Sequence, residues 1–369
     1  MTSSSRAKVG LIGCGNISRA YFDNCKLFPN LDLMACADID LARAQEAAKK
    51  YGVKAFTVDD LLASPEIEIA INLTIPQAHA EIDCRALESG KHVFSEKPFA
   101  LTLAEGLQVQ ETARKAGLRV GCAPDTVLGA AVQTCRKLLD EGTVGKPVAF
   151  TAVMQCGGHE TWHPAPEFYY KRGGGPMFDM GPYYLHALIT LLGPVKRVAG
   201  LTKVSFPERT ITSEPKKGER ITVDVPTHIA SLLEFRDGTI GTFVTSFDVR
   251  GPFTNPVIEI YGTEGTLRVP DPNNTGGQVQ VGAAGQGEWK NIPHSHPYAK
   301  GSRGLGVADL AAALRSGRKH RANDGIALHA LEIMEAIHVS ADKGTQIDLT
   351  TTCERPAAMR SDLPEFTLD

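Results

Sequence analysis

The chain is 369 residues long, 42% hydrophobic and 22% charged, with 39 basic against 42 acidic side chains and a formal charge of -3. That balance leaves no single-sign field to steer polyanions, which argues against nucleic acid and membrane surfaces as partners, and the globular composition excludes disorder and fibre. The length exceeds what one core usually fills, so two domains are expected.

No window of about 18 uninterrupted apolar residues exists. The opening Met1-Thr2-Ser3-Ser4-Ser5-Arg6 runs into a strand-like segment with no apolar leader, so the expected location is the cytoplasm. The eight cysteines (Cys14, Cys25, Cys36, Cys84, Cys122, Cys135, Cys156 and Cys353) are scattered without a C-x-x-C pair. Neither a zinc ribbon nor a disulfide framework is suggested, and reduced, mostly buried thiols are expected.

Residues 1–124 read as a doubly wound parallel sheet. Apolar runs at 8–14, 31–37, 67–75, 92–95 and 118–122 predict strands. Between them, 41–51, 77–89 and 103–116 predict helices, the last two stopping at Gly90 and Gly117. This alternation implies βαβ units with right-handed crossovers, the architecture of nucleotide binders. Residues 125–369 change rhythm and read as an α+β domain. A helix at 127–141, a strand at 147–154 and a loop at 157–176 dense in Gly, Pro, His and aromatics lead to a second helix at 179–192. Strand-like runs at 195–204, 221–235, 239–248 and 257–269 follow, linked by turns at 236–238 and 262–265, which argues for antiparallel pairing. A Gly/Pro/Asn-rich connection spans 270–302, and helices at about 305–316 and 323–342 complete the domain, with the expectation that they pack back on the first one.

The first strand ends in Gly10-Leu11-Ile12-Gly13-Cys14-Gly15-Asn16-Ile17-Ser18, a G-x-G-x-x-S fingerprint. Gly13 permits the tight turn, Gly15 lets a pyrophosphate approach the backbone, and Asn16 and Ile17 open the helix whose N-terminus faces the phosphates. Ser18 replaces the third glycine by another small residue. Asp38, about 20 residues on at the end of the second strand, is placed to bind adenosine ribose hydroxyls. It would repel a 2′-phosphate, and the next residues are Ile39 and Asp40 rather than arginine, so NAD is expected over NADP. A surface Asp and a structural glycine turn are the bland alternatives.

Strand ends at Asn72-Leu73-Thr74 and Ser95-Glu96-Lys97-Pro98 put polar residues on the carboxyl edge, where an open α/β sheet holds its ligand. Thr74 and Glu96 are therefore cofactor candidates, and Lys97 is a candidate for chemistry rather than a solvated surface cation.

The G-x-G-x-x-S element, the Glu96-Lys97-Pro98 tripeptide and the later Gly173-Gly174-Gly175-Pro176-Met177-Phe178-Asp179-Met180-Gly181 segment, in this order over nearly the whole chain, resemble the Gfo/Idh/MocA family of glucose-fructose oxidoreductase and inositol dehydrogenase relatives. The resemblance implies an NAD(P)-binding Rossmann domain, a second domain whose open, mostly antiparallel sheet makes homo-oligomer contacts, and active-site roles for Lys97 and Asp179. Many relatives carry His four residues after that Asp; Tyr183 stands there in this chain. Positions 179, 183 and 186 share one helix face, so Asp179, Tyr183 and His186 can point the same way.

Oxidising a secondary alcohol needs a hydride path to nicotinamide and a group to manage the hydroxyl proton. Lys97 is the candidate, since burial and a positive nicotinamide would lower its pKa from about 10.4; Tyr183 or a His could share the task. The expected activity is an NAD-dependent dehydrogenase of a small polyhydroxylated substrate, a sugar, glycoside or cyclitol. Trp162 could stack on a sugar ring, with His163, His186 and His296 as further substrate contacts. A non-enzymatic NAD-binding sensor on the same fold is the alternative. His159-Glu160-Thr161-Trp162-His163 also matches H-E-x-x-H, but Gly157-Gly158 before it and Pro164 and Pro166 after it deny it a supporting helix, which leaves a zinc hydrolase remote and no metal expected.

Overall fold

The computed structural model describes residues 6–252, 257–300 and 303–369. The first five residues of the chain and the last two of the 270–302 connection lie outside that set.

The first sheet has six parallel strands: β1 (Ala7–Ile12), β2 (Leu31–Ala37), β3 (Lys54–Phe56), β4 (Ile69–Asn72), β5 (His92–Ser95) and β6 (Val120–Cys122), in the order β3-β2-β1-β4-β5-β6. Helices α1 (Ser18–Cys25), α2 (Leu41–Tyr51), α3 (Val58–Ala63), α4 (His79–Glu88) and α5 (Leu103–Ala116) alternate with these strands. Both faces are covered, so the central strands are continuously apolar: Val9, Leu11, Ile69, Ile71, Val93 and Phe94 are fully buried. Each such side chain contributes about 1.5–3 kcal/mol by leaving water.

The local signals are orthodox. Asp40 caps α2 by accepting from the Ala42 amide at 3.0 Å, and Gly52 closes it at φ 74°. Thr102 and Glu105 form a capping box on α5. The short β3 and α3 went unforeseen, because a three-residue strand carries too little periodicity to read.

The second sheet has nine strands. After α6 (Ala130–Asp140) come β7 (Pro147–Gln155), α7 (Gly175–Leu192), β8 (Val195–Lys203), the small hairpin β9 (Glu208–Thr210) and β10 (Arg220–Thr222), then β11 (His228–Phe235), β12 (Ile240–Ser246), β13 (Ile258–Gly262), β14 (Gly265–Val269), β15 (Val279–Ala283) and β16 (Lys290–Ile292). Helices α8 (Leu305–Ser316) and α9 (Asp324–Lys343) precede β17 (Ile347–Asp348). The sheet order is β16-β15-β14-β13-β7-β12-β11-β8-β17, with β9 and β10 paired apart from it. All its pairings are antiparallel except β7 with β12, whose Thr151 and Thr242 lie side by side in parallel register.

The expected strand at 221–235 is interrupted: Arg220–Thr222 belongs to the small hairpin, and the large-sheet strand starts only at His228. Helix α7 lies on the large sheet against β7, β11 and β12. Helix α9 packs on α7 and β8 and reaches α5 and β6, while α8 packs on α1 and β6. The two sheets therefore share one helical layer, which brings the carboxyl edge of the first against the N-terminal half of α7. No helix among the described residues is long and apolar enough to cross a membrane.

Candidate functional site

The strand order reverses between β1 and β4, and the crevice outside their carboxyl ends is open. Its volume is about 420 Å³, with Gly13, Gly15, Asp38, Arg43, Thr74 and Ile75 in its lining. Gly13 has φ 98°, and a Cβ there would fall 2.6 Å from the Leu73 carbonyl, so the turn admits no side chain. A Cβ on Gly15 would meet nothing within 4 Å, which leaves room for a ligand against the backbone. Helix α1 begins behind them with no side-chain cap and no acidic residue in its first turn, and Asn16 and Ile17 are exposed at its entry. Such an end suits a pyrophosphate. Ser18 fits where the third glycine was expected, with its hydroxyl donating to the Gly15 carbonyl at 2.6 Å.

Asp38 is held from below: its Oδ2 accepts from the Cys14 amide at 2.8 Å and its Oδ1 from Asp40 at 2.9 Å. Its sequence neighbours include no arginine, yet α2 returns Arg43 to 3.8 Å from Asp38 Oδ1. Thr74 is fixed by Asn72, whose side-chain oxygen accepts from its amide and hydroxyl at 3.1 and 2.6 Å.

Past the end of β5 the Lys97 ammonium donates to Asp179 Oδ1 and to the Asp179 carbonyl, both at 2.7 Å. Two features shape α7 there. Gly174 approaches so closely that a Cβ would lie 2.5 Å from the Phe168 carbonyl, which seats the start of the helix against the preceding turn. Pro182 sits inside the helix, where its missing N–H leaves the carbonyl of Phe178, the residue before Asp179, without its intrahelical donor.

Burial alone would lower the Lys97 pKa, but the Asp179 carboxylate, Tyr183 and Glu96 outweigh it and hold the ammonium above the ordinary lysine range. Burial likewise opposes ionisation of Asp179, yet Lys97 and His159 bring that carboxyl down to about 2. The expectation that Lys97 is depressed is thus reversed without cofactor, because its counter-charge is in direct contact. His159 Nε2 lies 3.3 Å from Asp179 Oδ2, outside hydrogen-bond geometry.

Tyr183 completes the group from the same helix face as Asp179. Lys97 Nζ stands 5.3 Å from its ring centroid, and Arg303 donates to its hydroxyl at 2.7 Å. Glu96 is turned inward, accepting from Tyr21 at 2.9 Å and from the Lys97 amide at 3.0 Å.

The loop after β7 builds an aromatic wall. His159 is 4.1 Å from Tyr169 and 5.3 Å from Trp162, ring centre to ring centre, and His163 stands against Trp162, Phe168 and Tyr169. Trp162 remains 59% exposed, so its face is free to take a ligand. Glu160 points away, into a buried cluster: Arg209 bridges Glu160 at 2.7 Å and also pairs with Asp248, while the Tyr170 hydroxyl donates to Glu160. The β9–β10 hairpin thereby clamps the loop. The His163 amide donates to the His159 carbonyl in a single turn, and among the described residues no group of three or more His, Cys, Asp or Glu is arranged to hold a metal ion.

Two expected substrate contacts stand elsewhere. His186, only 2% exposed, is buried in the core with the Pro124 carbonyl as partner, and burial pushes its pKa down to about 4. Three residues past Tyr183, that face of the helix is in the core. His296 bridges Ser295 at 2.9 Å and the Met359 carbonyl at 3.0 Å, tying the connection to the C-terminal tail. Arg303, Tyr21, Asp125 and Arg209 carried no sequence signal, since no motif surrounds them and long-range folding alone brings them in.

An open parallel sheet with a glycine-lined, acid-based crevice at its switch point, beside a buried ammonium–carboxylate pair, defines a dinucleotide-dependent oxidoreductase. Residues 7–123 match the family described as "Oxidoreductase family, NAD-binding Rossmann fold", and residues 132–268 match the GFO/IDH/MocA C-terminal domain. The chain belongs to the Gfo/Idh/MocA family of oxidoreductases.

It is similar to levoglucosan dehydrogenase of Pseudarthrobacter phenanthrenivorans, at 25% identity over 283 residues, 70% of this chain and 72% of that one. It is also similar to D-apiose dehydrogenase of Paraburkholderia graminis, at 23% identity over 373 residues, 96% and 93% of the two chains. A solved structure of levoglucosan dehydrogenase in complex with NADH and levoglucosan shares the fold, with a TM-score of 0.80 at 22% identity over 94% of this chain and 100% of that one.

Proposed function

We propose that the protein is an NAD-dependent dehydrogenase that oxidises a ring secondary hydroxyl of a sugar, glycoside or cyclitol to a ketone, or runs the reverse reduction. Residues 1–124 are the cofactor domain and 125–369 the substrate and oligomerisation domain. The reading rests on one observation: Lys97, at the cofactor edge of the first sheet, meets Asp179 of the second domain at 2.7 Å beside Tyr183. The names of the relatives, dehydrogenases of levoglucosan and D-apiose, support the substrate class.

Gly13, Gly15, Asn16 and Ile17 would hold the pyrophosphate, Asp38 the adenosine ribose, and Thr74 and Glu96 the nicotinamide half. NAD is favoured over NADP because the buried Asp38 carboxylate would lie against a 2′-phosphate; Arg43 acts in the opposite sense and narrows the preference. Bound NAD supplies the hydride acceptor. Lys97, once its ammonium has passed a proton to solvent, holds the substrate hydroxyl and accepts its proton, and Tyr183 orients the same oxygen. Asp179 retains the charge that keeps the ammonium in place. Trp162 and His163 cover the apolar and hydroxyl faces of the ring. The uncovered face of the large sheet exposes Leu201, Leu232 and Ile240, which supports pairing of copies there.

The test is a screen of purified protein with NAD or NADP against free sugars, inositols, anhydrosugars and glycosides, followed at 340 nm. Turnover of one class with NAD is the expected result. Absence of reduction across the panel would refute the reading.

A further inference from the structure

Arg303 immediately precedes α8, far in sequence from the residues assigned to the reaction, and its guanidinium reaches Tyr183. One nitrogen, Nη2, donates to the Tyr183 hydroxyl at 2.7 Å, and Cζ lies 5.2 Å from the ring centroid. The other, Nη1, is buried without a hydrogen-bond partner, 3.9 Å from Asp125 Oδ1, which is itself unpartnered.

The side chain is held rather than draped. Asp125 Oδ2 accepts from the Gly304 and Gly306 amides at 2.9 and 3.0 Å, so the backbone that carries Arg303 is pinned to the carboxyl edge of the first sheet. Asp125 is fully buried, and the Arg303 side chain is only 17% exposed.

A guanidinium can only donate. With Nη2 on the phenol oxygen, one lone pair of Tyr183 is occupied, and the phenol's own proton has no acceptor among the described residues. We propose that Arg303 is a positioning residue for Tyr183, fixing its hydroxyl as a donor aimed at the substrate oxygen that Lys97 also holds. This inference rests on the dehydrogenase reading for the identity of that oxygen.

In the reductive direction such a hydroxyl stabilises the developing alkoxide; in the oxidative direction it donates to the same oxygen as that oxygen loses its proton. Around Tyr183 stand Lys97 and Glu96 from the end of β5, Arg303 ahead of α8, Asp179 on α7 and Tyr169 from the loop before it. Burial pushes the phenol up, and the two cations oppose that. Removing Arg303 therefore leaves a phenol that ionises later and is free to rotate its proton elsewhere.

Three measurements test this on the full chain. In 13Cζ-tyrosine NMR, with Tyr183→Phe assigning the signal, Arg303→Met is expected to shift the Tyr183 titration to a pH higher by about 1 or more. Arg303→Met is also expected to lower kcat roughly 10- to 100-fold with NAD affinity retained. In the Tyr183→Phe background the same substitution is expected to add little further loss. An unchanged Tyr183 titration, or an equal kcat loss in both backgrounds, overturns the proposal. Arg303→Gln serves if the Met variant fails to fold, since it also removes the charge, with the same titration as its readout. If wild type turns over no polyol, the dehydrogenase reading falls, and the NMR arm still decides whether Arg303 governs Tyr183.

Discussion

The Lys97 ammonium donates to two oxygens of one residue, the Oδ1 and the backbone carbonyl of Asp179, each at 2.7 Å. A charge held this way is unavailable as a base until something competes for it. Asp179→Asn removes the carboxylate that raises the Lys97 pKa, so the acidic limb of kcat/KM for oxidation, set by deprotonation of Lys97, is expected to move to lower pH. Lys97→Ala is expected to cut turnover by about 10²-fold or more while NAD affinity stays near wild type. Steady-state pH profiles with fluorescence titration of NAD check both, and near-normal turnover of the Lys97 variant would remove it from the chemistry.

Asp38 is the acid at the base of the cofactor crevice, with Arg43 only 3.8 Å away. Asp38→Ala is expected to weaken NAD by about 10-fold or more, the scale of a lost charged hydrogen bond, and to leave NADP unharmed or improved because Arg43 then faces the 2′-phosphate alone. Dissociation constants for both cofactors decide it. Equal weakening of the two would mean that the acid acts on the turn at Cys14 and not on the ribose.

Arg209 sits with no side-chain exposure between Glu160 and Asp248. Arg209→Leu strands two buried carboxylates, which is expected to cost about 3–5 kcal/mol in urea unfolding. The same variant releases the loop that carries His159 and Trp162, so KM is expected to rise more than kcat falls. An unmoved unfolding midpoint would show that the cluster does not clamp that loop.

Asp83 is fully buried under the crevice, where its Oδ1 accepts from Asn72 at 2.7 Å, and burial raises its pKa to about 7. Its folded-state pKa lies above its unfolded one, so its contribution to stability is complete below about pH 4 and is lost as pH rises through 7. Asp83→Asn keeps the acceptor without the charge. The variant is expected to be more stable than wild type at pH 8, with the difference shrinking toward pH 4. Parallel denaturation curves at both pH values check this, and a difference independent of pH would contradict it.

Much of the frame was legible beforehand, for identifiable reasons. The apolar cores of β1, β4 and β5 announce a covered parallel sheet, and Gly13, Gly15 and Asp38 mark its crevice through backbone chemistry that only a few residue types permit. Lys97 stands out by its place at a strand's carboxyl edge, Asp179 by the family resemblance and Tyr183 by its helical spacing from Asp179, and the fold brings the three together. Periodicity failed where the environment decides: it put His186 on the right face of α7 but could not say that the face dips into the core there, and it ran β10 and β11 together across the break at 223–227. The H-E-x-x-H match at 159–163 is set aside on its glycine and proline neighbours, but nothing local shows the partner that claims Glu160, Arg209, 49 residues away. Arg303 was invisible for the same reason, since its meaning comes from Tyr183, 120 residues earlier.

Because Lys97 hangs from one sheet and Asp179 from a helix laid on the other, neither half of the chain contains the whole of the proposed reaction centre. Both acceptors of the ammonium belong to a single residue, so any parting of the halves severs the two bonds together rather than in turn.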